Sequence, residues 1–335
     1  MHSPTMIEQA ANCLRALALN EQAKARFSSD PALSPYLRRV AARYVAGQTV
    51  ADVVAHVRTV AARGHAASAE YVGESCRDEA KAHADTAVFL DLVAAIRRER
   101  LRCSVSLDLS HVGSLVDPEL GYRNARRIAA AARDAGLEVM ISMEGSDRAD
   151  NIFATYRRLH AEAGLDNVGI TLQARLHRSA RDLPRLMEMP GRIRLVKGAY
   201  LEPTGIAWDR NSPELAAAYR SLAQALLAAG HRCSLATHDA PLQDELAGSI
   251  AQQGRQQHAE FETLFGLGGD GLDTLRRRGL QTREYAIFGE EYFLYVLNRI
   301  AEEPARLFQA VVDLIGLPPG AAVPGTAPAL QQDAA

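Results

Sequence analysis

Eight short runs rich in apolar and β-branched residues alternate with helical segments along most of this 335-residue chain, and that alternation limits its fold more than any other feature. The runs fall at 67–72, 103–108, 138–143, 167–173, 192–197, 232–237, 258–264 and 283–288. Ala/Arg/Leu-rich segments such as 120–135 and 212–229 separate them. A strand followed by a crossover helix returns the chain parallel to where it began, and eight such units close a sheet on itself. The pattern predicts an α/β fold, a (β/α)8 TIM barrel over residues 66–316.

The flanks differ. Residues 1–65 form an Ala-, Leu- and Arg-rich helical segment in which the spacing predicts two or three helices between 6 and 64. The tail at 317–335 is Pro, Gly, Ala and Gln without periodicity, which predicts disorder. A hydrophobic content of 47% supplies a large core. Thirty-eight basic against forty acidic residues leave a net charge of −2, which argues against nucleic acid or an anionic membrane as the main partner. The four cysteines match no zinc or disulfide spacing, and no metal site is expected. No apolar stretch approaches the ~18 residues of a membrane span, so the expectation is a soluble, cytoplasmic protein.

Barrel chemistry belongs at the carboxyl ends of the strands. The polar residues expected there are Glu74, Asp108, Ser142, Gln173, Arg194, Lys197, Thr237, His238 and Glu260. In the final helical segment Tyr295, Asn298, Arg299 and Glu302 fall at i, i+3, i+4 and i+7 and share one face. Alone, that face reads as solvated or as an anion-recognising lid. The run GLGGDG at 266–271 has the nominal dinucleotide spacing, but it follows the seventh strand and too little chain remains for a Rossmann half.

These residues sit in segments that resemble one family. RLVKGAYLEP at 194–203 resembles the fifth-strand signature of the flavin-dependent proline dehydrogenases. AEYVGES at 69–75, VSLDLSHVG at 105–113, ISMEGS at 141–146 and TLQARLHRS at 171–179 follow the same order, as do LATHD at 235–239, EFETLFG at 260–266, EYAIFG at 284–289 and YVLNRIAEEP at 295–304. The resemblance implies a distorted barrel that holds FAD noncovalently, with the final helix over its mouth. It implies that Arg194 approaches the reacting edge of the flavin and that Lys197, Gly198 and Ala199 run along the cofactor. Gln173 would hydrogen-bond the ring system, and Thr237, His238 and Glu260 would touch FAD further along. Tyr285, Tyr295, Asn298, Arg299 and Glu302 would line the substrate pocket, with Ser142 and Ala199 beside them.

The substrate half departs from the family pattern. The family's second-strand lysine is Asp108 here, the aspartate of its third-strand motif is Ser142, and the first of two adjacent arginines in the final helix is Asn298. Losing two cations and gaining an anion changes the local charge by −3, and losing one aspartate returns +1. A substrate carboxylate facing Asp108 at low effective dielectric would meet repulsion of roughly several kcal/mol. The expectation is a flavin-dependent dehydrogenase that oxidises a C–N bond to an imine in an amine or amino acid other than proline, with Asp108, Arg194 and Tyr285 as catalytic residues. Its acceptor would be a quinone, oxygen or an electron-transfer protein, with peripheral membrane attachment if quinone serves. The alternatives are an ordinary L-proline dehydrogenase with a relaxed carboxylate site, a Schiff-base lyase or aldolase using Lys197, and a noncatalytic flavin-binding barrel.

Overall fold

The computed structural model describes residues 5–73, 75–210, 212–303 and 306–315. Glu74 and the 317–335 tail lie outside them. In chain order the elements are α1 Met6–Ala18, α2 Glu21–Ser29, α3 Ser34–Ala41, α4 Val50–Ala62, β1 Ala66–Tyr71, α5 Glu79–Glu99, β2 Cys103–Leu107, α6 Pro118–Asp134, β3 Val139–Ile141 and α7 Ala149–Ala161. There follow β4 Val168–Gln173, α8 Ser179–Leu186, β5 Ile193–Val196, α9 Pro213–Ala229, β6 Cys233–Ala236, α10 Ala240–Gln252, β7 Ala259–Leu264, α11 Gly269–Arg277, β8 Gln281–Phe288, α12 Phe293–Glu302 and α13 Arg306–Ile315.

All eight strands pair parallel, and β1 closes the barrel by pairing with both β2 (Ser68↔Ser104) and β8 (Ser68↔Tyr285). Each expected strand is present to within two residues at either end. Alternate residues of β2 to β5, among them Val105, Leu107, Ile141, Ile170, Ile193 and Leu195, pack outward with Phe89 and Ile96 of α5, Ile128 of α6 and Ile152 of α7. Each such buried side chain contributes about 1.5–3 kcal/mol. Helix starts follow local chemistry: Asp78 accepts from the Lys81 amide ahead of α5, and Ser212 accepts from the Leu215 amide with Pro213 opening α9. The GLGGDG run covers the turn after β7 and the first residues of α11 and serves no Rossmann unit.

The amino-terminal region holds four helices rather than two or three. Asn20 interrupts the first helical run and caps α2 by accepting from Ala23, and Pro35 sits in the first turn of α3. Contacts also divide the chain differently from the expected segments: one unit is 43–292, the other 1–42 with 293–335. Helix α4 therefore belongs with the barrel strands. In the helical unit Ala18, Phe293 and Leu297 form a small core with Leu14, Leu17 and Leu37, and the rings of Phe27 and Phe293 lie 5.9 Å apart. Arg15 donates to the Ala301 carbonyl at 3.2 Å.

Candidate active site

Strands covered on both faces are usually apolar throughout, but here the inward positions are polar. Ser68 and Glu70 of β1, Ser104 and Ser106 of β2, Arg194 of β5, Glu260 and Glu262 of β7, and Arg283 of β8 are all buried. They pair with one another, as buried charge requires.

Arg194 is the centre of one layer. Its guanidinium meets Glu262 through Nε at 3.0 Å and Nη2 at 2.9 Å, and donates to the hydroxyls of Ser68 and Ser106 at 2.9 Å each. It also lies 4.9 Å from the Tyr285 ring centroid. Burial opposes its charge, but Glu262 and Glu70 more than offset that and keep it firmly cationic.

Above Arg194 the carboxylates gather. Glu70 accepts a short hydrogen bond from the Tyr285 hydroxyl and another from Ser142 at 2.9 Å. Glu144 accepts from the Ser110 amide at 3.0 Å and pairs with Arg148. Asp108, just past β2, has no hydrogen bond or ion pair to its carboxyl group among the described residues. Burial and the nearby charges of Glu70 and Glu144 push it well above the ordinary aspartate range, against the weaker pull of Arg148 and Arg194. Glu70 is raised too, chiefly by burial. A carboxyl group held in this way takes up a proton readily from an ammonium beside it.

The next strand ends carry a different chemistry. Gln173 donates to the Glu144 carbonyl at 2.8 Å, while its buried amide oxygen has no donor among the described residues. Gly198 has φ +117, and a Cβ there would come within 3.1 Å of that oxygen and 2.8 Å of the Arg175 side chain. Only glycine adopts this backbone without strain. An orphaned acceptor beside a glycine-floored gap fits the edge of a planar cofactor. Lys197 pairs with Asp239 at 2.9 Å, an ion pair at the strand ends rather than a free Schiff-base amine. The Thr237 hydroxyl accepts from the Asp239 amide at 3.2 Å, and exposed His238 accepts from the Leu264 amide at 3.0 Å. Ala199 is exposed on the loop after β5.

Two expectations need correction. Arg194 does not stand at the strand ends but inside the barrel, one layer below the carboxylates. Glu260 lies at the start of β7, toward the amino-terminal end, where Arg283 at 2.6 Å, Arg192 at 3.2 Å and Ser234 at 2.6 Å occupy it. Those partners leave it no face for a cofactor. In the helical unit Arg299 pairs with Glu302 at 2.6 Å and lies 5.2 Å from the Tyr295 ring, so the shared face expected from spacing is present on α12. The residues not anticipated are Glu70, Glu144, Arg148, Arg175 and Glu262. Glu262 was legible as the second polar residue of an alternating E-F-E run, which in a helix-covered strand marks an inward face.

The family profile for proline dehydrogenase matches residues 53–306. This chain belongs to the proline dehydrogenase family. It is 33% identical over 269 residues to the proline dehydrogenase of Deinococcus radiodurans, covering 79% of this chain and 86% of that protein. It is 30% identical over 268 residues to proline dehydrogenase 1 of Bacillus subtilis, covering 79% and 87%. Among solved structures, proline utilization A from Bdellovibrio bacteriovorus, inactivated by N-propargylglycine, superposes with a TM-score of 0.75 at 18% identity. That match covers 97% of this chain and 44% of the longer protein. Members of this family are FAD-dependent oxidoreductases acting on CH–NH donors, and this chain is such an oxidoreductase by membership. When bound, FAD would supply the hydride-accepting chemistry for the carbon beside nitrogen. Among the described residues no helix is long and apolar enough to cross a membrane.

Proposed function

We propose that this chain oxidises the C–N bond of an amino-acid-like amine bearing an additional cationic or hydrogen-bonding group, and that proline is a poor substrate. The observation that carries the reading is Asp108, a buried carboxyl group with no ion pair among the described residues, beside Glu70 and Glu144, where the family pattern has lysine. When ionised, that carboxyl group repels a substrate carboxylate, and a substrate ammonium beside it favours the ionised form. Asp108 then accepts the proton released as the amine becomes neutral and reactive. Arg194 supplies the fixed positive charge that favours electron transfer to the flavin, a contribution of about 2–4 kcal/mol for one positioned cation. Tyr285, held by Glu70, and Ser142 shape the pocket wall. Gln173, Lys197, Gly198, Ala199, Thr237 and His238 hold FAD. Arg299, steadied by Glu302 with Tyr295 and Asn298 on the same helical face, takes the substrate carboxylate; the sequence match of α12 to the family's final helix supports that role.

Anaerobic bleaching of the flavin across a panel of proline, diamino acids and N-substituted amino acids tests this. A diamino or N-substituted acid should reduce the flavin faster than proline does. Asp108→Lys with Asn298→Arg should raise proline turnover and suppress the native reaction. Proline matching the best amine of the panel would instead make this an ordinary proline dehydrogenase, as its named relatives are.

A further inference from the structure

Because β1 pairs with both β2 and β8, the three loops that precede these strands lie side by side at the amino-terminal end of the barrel, opposite the strand ends that carry the flavin chemistry. Each loop brings arginine. Arg63 precedes β1, Arg102 closes the RRERLR run at 97–102 before β2, and Arg276 and Arg277 belong to LRRRGL at 275–280 before β8. Together with Gly64 and Asp273 they line a cavity of about 680 Å³. Four cations face one carboxylate in that lining. Asp273 is already engaged by Arg63 at 3.0 Å and His65 at 2.8 Å. Arg277 donates to the Asp273 carbonyl and the Thr274 hydroxyl on its own helix. The side chains of Arg102 and Arg276 have no hydrogen bond or ion pair among the described residues. Gly64, at φ +84, makes room for one of them: a Cβ there would fall 2.2–2.4 Å from three atoms of the Arg276 guanidinium.

We propose that this cavity binds a small phosphate-bearing polyanion of the pyrophosphate or nucleoside-diphosphate class. Guanidinium groups present paired N–H donors that match phosphate oxygens two at a time. The volume lies in the range of small-ligand sites, and the lining holds no acid left to compete. An anion also relieves the mutual repulsion of the four guanidinium groups. None of these residues takes part in the flavin chemistry, so this inference stands or falls independently of the substrate reading.

The test uses the full-length, FAD-loaded protein with inorganic pyrophosphate as the probe, followed by titration calorimetry and by the shift in Tm. Saturable binding at one site is expected, with a rise in Tm. Arg102→Gln with Arg276→Gln should weaken it about tenfold or more, with flavin content unchanged. Gly64→Val, which fills the space of the Arg276 side chain, should weaken it as well; if that variant does not fold, the arginine pair decides. Absence of saturation at low salt, or equal affinity in the arginine variant, overturns the proposal. So does tighter binding to anionic lipid vesicles that pyrophosphate fails to compete away, which would make the arginines a membrane contact.

Discussion

At the scale of single residues, the barrel interior is a set of charges whose cost is met by partners, with one exception. Arg194 donates three hydrogen bonds, so removing it leaves Glu262 buried without its paired cation, a loss of about 3–5 kcal/mol. Arg194→Met should therefore lower Tm sharply. Arg194→Met with Glu262→Gln should recover much of that stability yet still reduce the flavin slowly, with a lowered midpoint potential. Reduction at the wild-type rate in the double variant would mean that Arg194 is purely structural. Asp108 is the exception. Its folded value is raised by burial, Glu70 and Glu144. The stability of its neutral form is thus fully present below the ordinary value of 3.8 and is lost as pH rises through the raised one. Asp108→Asn stays neutral throughout. The Tm of the variant should exceed that of the wild type by a margin that grows upward from about pH 4, and a margin independent of pH would show that Asp108 has an ordinary titration.

At the scale of elements, the turn from β5 toward α9 constrains its backbone at Gly198. Gly198 pairs a positive φ with a wall of Gln173 and Arg175 atoms on the side where a Cβ would grow. Gly198→Ala should cost about 1–3 kcal/mol of backbone strain, and it should cost more in flavin retention than in secondary structure. Repeated gel filtration followed by the absorbance ratio of flavin to protein reads this directly; full retention would show that the gap is not a cofactor wall. The alternation of small hydroxyls and charges along β1, β2 and β7 is the same logic extended over whole strands. An inward face of Ser68, Ser106 and Glu262 exists because Arg194 needs acceptors there. In α12 the i, i+3 pair of Arg299 and Glu302 is satisfied inside the helix itself, which is why its shared face was legible from spacing.

At the scale of the molecule, a belt of ion pairs ties the amino-terminal end of the barrel together. Arg283 bridges Glu260 of β7, the Ser104 hydroxyl of β2 and the Ala67 carbonyl of β1. Arg192, next to β5, joins Glu260 to Glu138, beside β3. Burial alone would raise Glu260, yet Arg283 and Arg192 hold it down to about 2. A depressed carboxylate contributes stability above its ordinary value of 4.5 that is lost as pH falls toward 2, about 3 kcal/mol in all. Acid unfolding should steepen across that window, and Glu260→Gln should both destabilise the protein at neutral pH and flatten the acid limb; an unchanged limb would place the acid sensitivity elsewhere. The sequence by itself determined the barrel, its eight strands and the family, because strand–helix alternation and local motifs such as RLVKGAY are short-range properties of the chain. It also exposed Asp108 as an anomaly. Only the tertiary structure decided which charges meet. Glu70, Ser142 and Tyr285 come from β1, the end of β3 and β8, and Arg194 finds Glu262 sixty-eight residues away. Closing the barrel brings such residues to contact distance, and pairing across strands leaves no trace in the spacing along one of them.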